Sequence, residues 1–184
     1  STIQDIHISG SVNRVSTHFS GYAGGFVAQA RNSTITRCST SADVTLETYY
    51  AGAFAGTINT GSTVTECYAT GTVTTPASGG RGCGFAQETG GDISDSYATG
   101  ACVGEYSAGF IGLVPNGKTV ARCYSSGSIT GSSGVGFCQT KQASGAVTDC
   151  YFDGDTSGQA DSYATEKTTA EMKTEGTFTN FAFD

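Results

Sequence analysis

Cysteine is the most chemically versatile residue type in this chain, and its placement is periodic. Cys67 opens CYATGTV, Cys123 opens CYSSGSI and Cys150 opens CYFDGDT, while Ser96 opens the matching SYATGACV. A thiol nucleophile is needed once, beside a base that activates it. Four thiols in one recurring slot, Cys38, Cys67, Cys123 and Cys150, read instead as small side chains plugging a core. Ser96 and Ile6 fill the same slot, and neither could replace a reactive thiol. Disulfides between aligned members such as Cys123 and Cys150 are geometrically awkward. Cys83, Cys102 and Cys138 stand off this register, and a pair among them fits an extracellular setting. Seven cysteines cannot all pair within one chain. There is no CxxC, and His7 and His18 lie far from most cysteines, so zinc is poorly supported.

Two further sets of residues could do chemistry. Tyr68, Tyr97, Tyr124 and Tyr151 follow the cysteine slot and form a second column. Such a column is either a strip that stacks on sugar rings or a protein partner, or a set of rings packed on one another. Regular stacking favours the latter. Asp153, Asp155, Ser157 and Asp161 place oxygens at the first, third, fifth and ninth positions of a calcium-loop pattern, with Gly158 at the sixth. The twelfth position is Ala164, so the bidentate carboxylate is missing and the run also reads as a turn. No HExxH motif and no Ser/His/Asp arrangement suggests an enzyme. TxT pairs, the pattern of ice-binding arrays, do not recur in register.

The elements that must hold these residues are set by the repeat. Steps from Ile6 through Cys38, Cys67, Ser96, Cys123 and Cys150 are 32, 29, 29, 27 and 27 residues. Three residues upstream stands an aliphatic: Ile3, Ile35, Val64, Ile93, Val120, Val147. Six residues downstream stand Val12, Val44, Val73, Cys102 and Ile129, with Thr156 the exception. Midway comes a glycine-rich element ending in Phe26, Phe54, Phe85, Phe110 or Phe137. Short alternating runs between glycines and hydroxyl residues predict strands joined by turns. Stacked as coils, equivalent residues lie over one another at about 4.8 Å.

The expected fold is therefore all-β, a β-solenoid of five to six coils over residues 1–152, with 1–30 as its least regular end. Residues 153–184 form a cap. Within it, Thr168 and Glu171 fit a capping box and Gly176 a stop, predicting a short helix over 168–175. TFTNFAF, Thr177 to Phe183, supplies apolar cover. Ahead of the cysteine slot stand Asp5, Arg37, Glu66, Asp95, Arg122 and Asp149, mostly of alternating sign, which predicts ion pairs between coils. The glycine of CYATG reads as a turn.

Composition agrees with turn-rich β structure: 27 Gly, 2 Pro and only 14% charged residues. A formal net charge of −7 argues against nucleic acid as a partner. No apolar run of about 18 residues predicts a membrane span. There is no signal peptide, and the chain reads as a piece of a larger protein.

These segments resemble GLUG-motif repeat proteins. The resemblance rests on GAFAG and AGFIG, on the CYATGTV, SYATGACV and CYSSGSI segments, and on the closing CYFDGDTSGQADSYATEKTTAEMKT; it covers roughly residues 30–180. Phe stands where the family has Leu, and the following glycine survives only as Gly56 and Gly112. The resemblance implies a secreted or cell-surface, adhesin-like protein of bacteria or archaea. Such a module is a non-catalytic stalk or adhesin, spacing other domains or binding a host or neighbouring-cell protein or glycan, with no cofactor required. The alternatives are a carbohydrate-active β-helix and, more distantly, an ice binder.

Overall fold

A computed structural model describes residues 1–14, 21–47 and 50–181; His18 and Phe183 lie outside them. Among these residues the chain is almost entirely β, wound as a solenoid of about five turns. Five parallel sheets run along the stack, of six, seven, five, three and five strands. Each sheet collects one segment per coil, as the repeat requires.

The first sheet aligns the aliphatic column Ile3–Ile35–Val64–Ile93–Val120–Val147. The second aligns His7–Ser39–Tyr68–Tyr97–Tyr124–Tyr151. The third aligns Val12–Val44–Val73–Cys102–Ile129. The fourth is a narrow corner sheet through Tyr22, Tyr50 and Arg81. The fifth comes after the phenylalanines, aligning Val27, Ala55, Ala86, Ile111 and Cys138. Parallel in-register pairing puts like on like, so a repeat in sequence becomes a column in space.

The phenylalanine column is the centre of the core. Phe26, Phe54, Phe85, Phe110 and Phe137 stack with ring centroids 4.7–4.8 Å apart and interplanar angles of 3–8°. The last four are fully buried. Cys38, Cys67, Cys123 and Cys150 are buried too, as plugs at the corner before the tyrosine sheet. Each donates its thiol to the carbonyl two residues upstream, at 3.2–3.3 Å. Cys83, Cys102 and Cys138 are likewise buried free thiols, and no disulfide joins any two of them.

The residue ahead of the cysteine slot carries a feature that its alternating charge did not foretell. Asp5, Arg37, Glu66, Asp95, Arg122 and Asp149 all have positive φ, between 50° and 58°. One left-handed residue per coil turns the chain from the aliphatic sheet to the tyrosine sheet. None is glycine, although a Cβ in this region costs about 1–2 kcal/mol. The expected ion pairs form in two places: Arg37 with Asp5 at 2.7 and 2.9 Å, and Arg122 with Asp95 at 2.5 and 2.7 Å. Asp149 accepts instead from the Asn180 side chain, at 2.9 Å.

The glycine of CYATG lies at a bend in two coils, at Gly71 and Gly100, and it does more than bend the chain. A Cβ on Gly71, Gly100 or Gly127 would collide with the backbone carbonyl of residue 42, 71 or 100 in the coil before. These glycines permit close approach of successive coils, and only Ala42 in that column carries a side chain.

The cap continues the second sheet, since Thr165–Lys167 pairs with Tyr151–Asp153. The helix expected over 168–175 does not form. The capping box itself is present: the Thr168 backbone N–H donates to Glu171 Oε2 at 2.8 Å, and the Glu171 N–H donates back to Thr168 Oγ1 at 3.2 Å. The chain then makes two single 3₁₀ turns, Glu171–Lys173 and Glu175–Thr177, because the segment wraps the end of the stack instead of running straight. The one α-helical turn among the described residues is Gly154–Ser157, N-capped by Asp153. It falls where Thr156 interrupted the apolar column, so the sixth coil ends in a helix where a strand would have stood. No helix among the described residues is long and apolar enough to cross a membrane.

Candidate functional site

The tyrosine face is the most regular surface feature. Tyr68, Tyr97 and Tyr124 stack at 4.9 Å with interplanar angles of 1° and 6°. They are half-buried, since alternate residues Ala69, Ala98 and Ser125 turn inward. Stacking engages the ring faces with each other, so solvent meets edges and phenol hydroxyls. A sugar ring could lie flat only on the outer face of Tyr68, where the column passes to Ser39. Burial and the neighbouring Tyr68 raise the Tyr97 phenol, and burial with the neighbouring Tyr97 pushes Tyr124 up to about 12. These hydroxyls therefore stay protonated donors at physiological pH.

Tyr151 does not belong to the open face. It is buried, with Phe178 edge-on at 5.5 Å and Phe181 at 6.1 Å, and its hydroxyl accepts from the Thr179 N–H at 3.2 Å. Phe178 also tilts over Tyr124 at 5.5 Å. The apolar cover expected from Thr177 to Phe183 is thus provided by Phe178 and Phe181. A crevice of about 320 Å³ opens where Met172, Lys173 and Phe178 overhang Tyr124. The accessible tyrosine face accordingly runs from Tyr68 through Tyr97 into this crevice.

The calcium-loop residues do not converge as ligands. Asp153 is buried and accepts from the Thr156 N–H and hydroxyl and from the Thr169 hydroxyl. Asp155 accepts from the Thr169 N–H at 2.9 Å, and Ser157 donates to the Gln159 carbonyl at 3.3 Å. Asp161 Oδ2 accepts from the backbone N–H groups of Phe137 and Cys138 at 2.9 and 2.7 Å; Oδ1 accepts from Tyr163 and Ala164. Each carboxylate is turned to its own set of backbone and hydroxyl donors. No group of three His, Cys, Asp or Glu among the described residues is arranged to hold a metal. The run is built as a turn and cap, not as a calcium loop.

The seven thiols are all buried and unpaired. Burial pushes Cys67 and Cys102 up to about 12, and raises Cys83, Cys123 and Cys138 in the same direction. His7 lies on the tyrosine sheet with Nδ1 at 2.8 Å from Ser39 Oγ, on the first coil, where no carboxylate among the described residues completes a relay. One expectation about hydroxyl arrays needs correction: Thr34 and Thr36 do stand in register with Thr63 and Thr65. Asp92, Ala121 and Ala146 break the pattern on later coils, so it spans only two.

Sequence reading missed a second concave face, between the corner sheet and the fifth sheet. Its signal was in view: YAG recurs at Tyr22 and Tyr50, four residues before Phe26 and Phe54.

Comparison with known proteins agrees with the repeat. Residues 47–74 match the family model described as the GLUG motif. No curated protein and no solved structure matches the chain. The matched stretch contains the aligned GAFAG and CYATGTV segments, so this chain carries a GLUG motif, within a β-solenoid built on the same spacing.

Proposed function

We propose that the chain is a non-catalytic extracellular module of the adhesin or stalk type. It holds surface residues in fixed register on a rigid rod and engages a protein or glycan of a host or neighbouring cell. Contact is made through the tyrosine face at Tyr68 and Tyr97. The observation that carries this reading is the pair of aromatic columns, phenylalanine inside at 4.7–4.8 Å and tyrosine outside at 4.9 Å, each unbroken over three or more coils. A rod tied coil to coil in this way transmits position without a hinge. Phenols already held by their neighbours lose little freedom on binding, which favours them as contact residues. Secretion or surface display is part of the proposal and rests on the GLUG motif and the family resemblance.

A cleaving β-helix is less well served. Glycoside hydrolysis of the usual kind needs two carboxyl groups flanking one bond. Asp153, beside the crevice, is already engaged by Thr156 and Thr169. The test is to incubate the chain with immobilised polysaccharides and glycoproteins and to follow retention and new reducing ends together. Retention without release of reducing ends supports the proposal; progressive release of reducing ends overturns it.

A further inference from the structure

The corner sheet and the fifth sheet meet in a groove of about 280 Å³, on a different face from the tyrosine column. One wall is Tyr22, Tyr50 and Arg81, in register on adjacent coils. Across from them, Glu88 and Leu113 pair on neighbouring strands, with Thr140 beyond. The floor is Gln87 and Gly112. Gly112 has no freedom to change, because a Cβ there would stand 2.5 Å from the Gln87 carbonyl oxygen. The volume is near the lower end for ligand pockets, which start at about 300 Å³, and suits one or two small rings.

Two observations point to a ligand. Gln87 is only 5% exposed, yet it lines the groove, so what remains open of it faces the groove's occupant. In the same column, one coil beyond Gly112, Gln139 has a buried Oε1 that is unpartnered. A buried acceptor left unpaired is uncommon and costly, and Gln139 stands in the floor column, two strands from Gln87. The walls supply the remaining chemistry. Arg81 has its guanidinium 5.1 Å from the Tyr106 ring centroid and enters no ion pair among the described residues. Glu88 accepts the Tyr22 hydroxyl at 3.3 Å and keeps acceptor capacity. Tyr50, 39% exposed, and Leu113 offer apolar surface.

We propose that this groove binds a neutral saccharide. Vicinal hydroxyls satisfy the set: one donates to Glu88, another accepts from Arg81, and a third exchanges hydrogen bonds with the Gln87 amide. The apolar face of the sugar ring lies toward Tyr50 and Leu113. The walls carry one cation and one anion, Arg81 and Glu88, so the groove has no net charge to recruit a charged sugar over a neutral one.

The test is an amide-resolved NMR titration of the whole chain with neutral gluco-, manno-, galacto- and xylo-oligosaccharides, uronates and amino sugars alongside. A neutral saccharide is expected to shift the amides of Gln87, Glu88, Gly112 and Leu113. Gln87→Ala and Glu88→Gln should each weaken it about tenfold, and Glu66→Gln, outside both faces, should leave it unchanged. Glu88→Gln keeps size and touches no core residue, so it reads the site even where Gln87→Ala loses stability. Failure of every neutral saccharide to shift these amides overturns the proposal, as does binding that survives Glu88→Gln or prefers the charged sugars. Shifts confined to Tyr68 and Tyr97 would overturn it while leaving the tyrosine-face reading standing.

Discussion

The Asp161 carboxylate accepts the backbone N–H of Phe137 at 2.9 Å, where Phe110 one coil earlier donates to the Phe137 carbonyl at 3.0 Å. In the inner coils each phenylalanine carbonyl receives two N–H groups from the coil before it, and Asp161 Oδ2 receives the same pair from Phe137 and Cys138. A side chain thus stands in for the next coil. Asp161→Ala should destabilise the chain by about 2–4 kcal/mol, since it orphans N–H groups bonded to a charge. Asp161→Asn, which keeps an acceptor, should cost less than half of that. Urea unfolding of both variants checks this; equal loss would mean that charge, not acceptance, is what the last coil needs.

Glu66 holds φ at 54° with its side chain partly open to solvent, and it makes no ion pair among the described residues. Asn tolerates this region better than Glu. Glu66→Asn should therefore raise stability by about 0.5–1 kcal/mol, read as a higher thermal midpoint. Arg122→Asn, which also breaks the pair to Asp95, should gain less or nothing.

Arg122 donates two hydrogen bonds to Asp95 and so holds its carboxyl below the ordinary value of 3.8. A depressed folded value means stability present above the unfolded value and lost as pH falls through the folded one. Wild type should thus lose stability on acidification below 3.8, and Asp95→Asn should lose less over the same range. Thermal midpoints at about pH 6 and about pH 3 provide the comparison. Identical slopes would show that the pair is not coupled to folding.

All seven thiols are buried, and those of Cys67 and Cys102 are pushed up to about 12. Those two supply almost no thiolate at neutral pH, and burial shields the others from a reagent. A chromogenic disulfide reagent should label few or none in the native chain and all seven in denaturant. Rapid native labelling would contradict the burial of this column.

Phe85 is stacked on both faces, by Phe54 and Phe110, at 4.7 Å. Phe85→Ala should cost about 3–5 kcal/mol, whereas Phe85→Leu, the residue usual at this slot in GLUG repeats, should cost about half as much. Chemical denaturation distinguishes them. A loss under about 1 kcal/mol for Phe85→Ala would mean that the column is not the core.

The coil architecture was legible because parallel in-register stacking turns period into position: Ile35, Val64 and Ile93, or Phe54, Phe85 and Phe110, could be aligned by counting. Backbone roles were only partly legible. Nothing in the letters Asp5, Arg37 and Glu66 distinguishes a left-handed corner from a charge ladder, since side-chain charge and φ are set by different interactions. The bends at Gly71 and Gly100 were legible, but local sequence cannot show the carbonyl that arrives there from another coil. The cap misled for a related reason: Thr168 and Glu171 do form their box, but helix continuation depends on where the chain must go next. The groove at Gln87 was invisible because its walls come from different coils, and only the fold brings Tyr50, Glu88 and Leu113 together.

The central claim is that the tyrosine face makes contact with a partner while the rod behind it stays intact. The most direct measurement is binding of the purified chain to an array of glycans and surface glycoproteins, wild type beside Tyr68→Ala and Tyr97→Ala variants of matched thermal stability. The account predicts retention of the wild type on a defined subset and its loss in both variants. Retention unaffected by either substitution, or no retention at all, would contradict it.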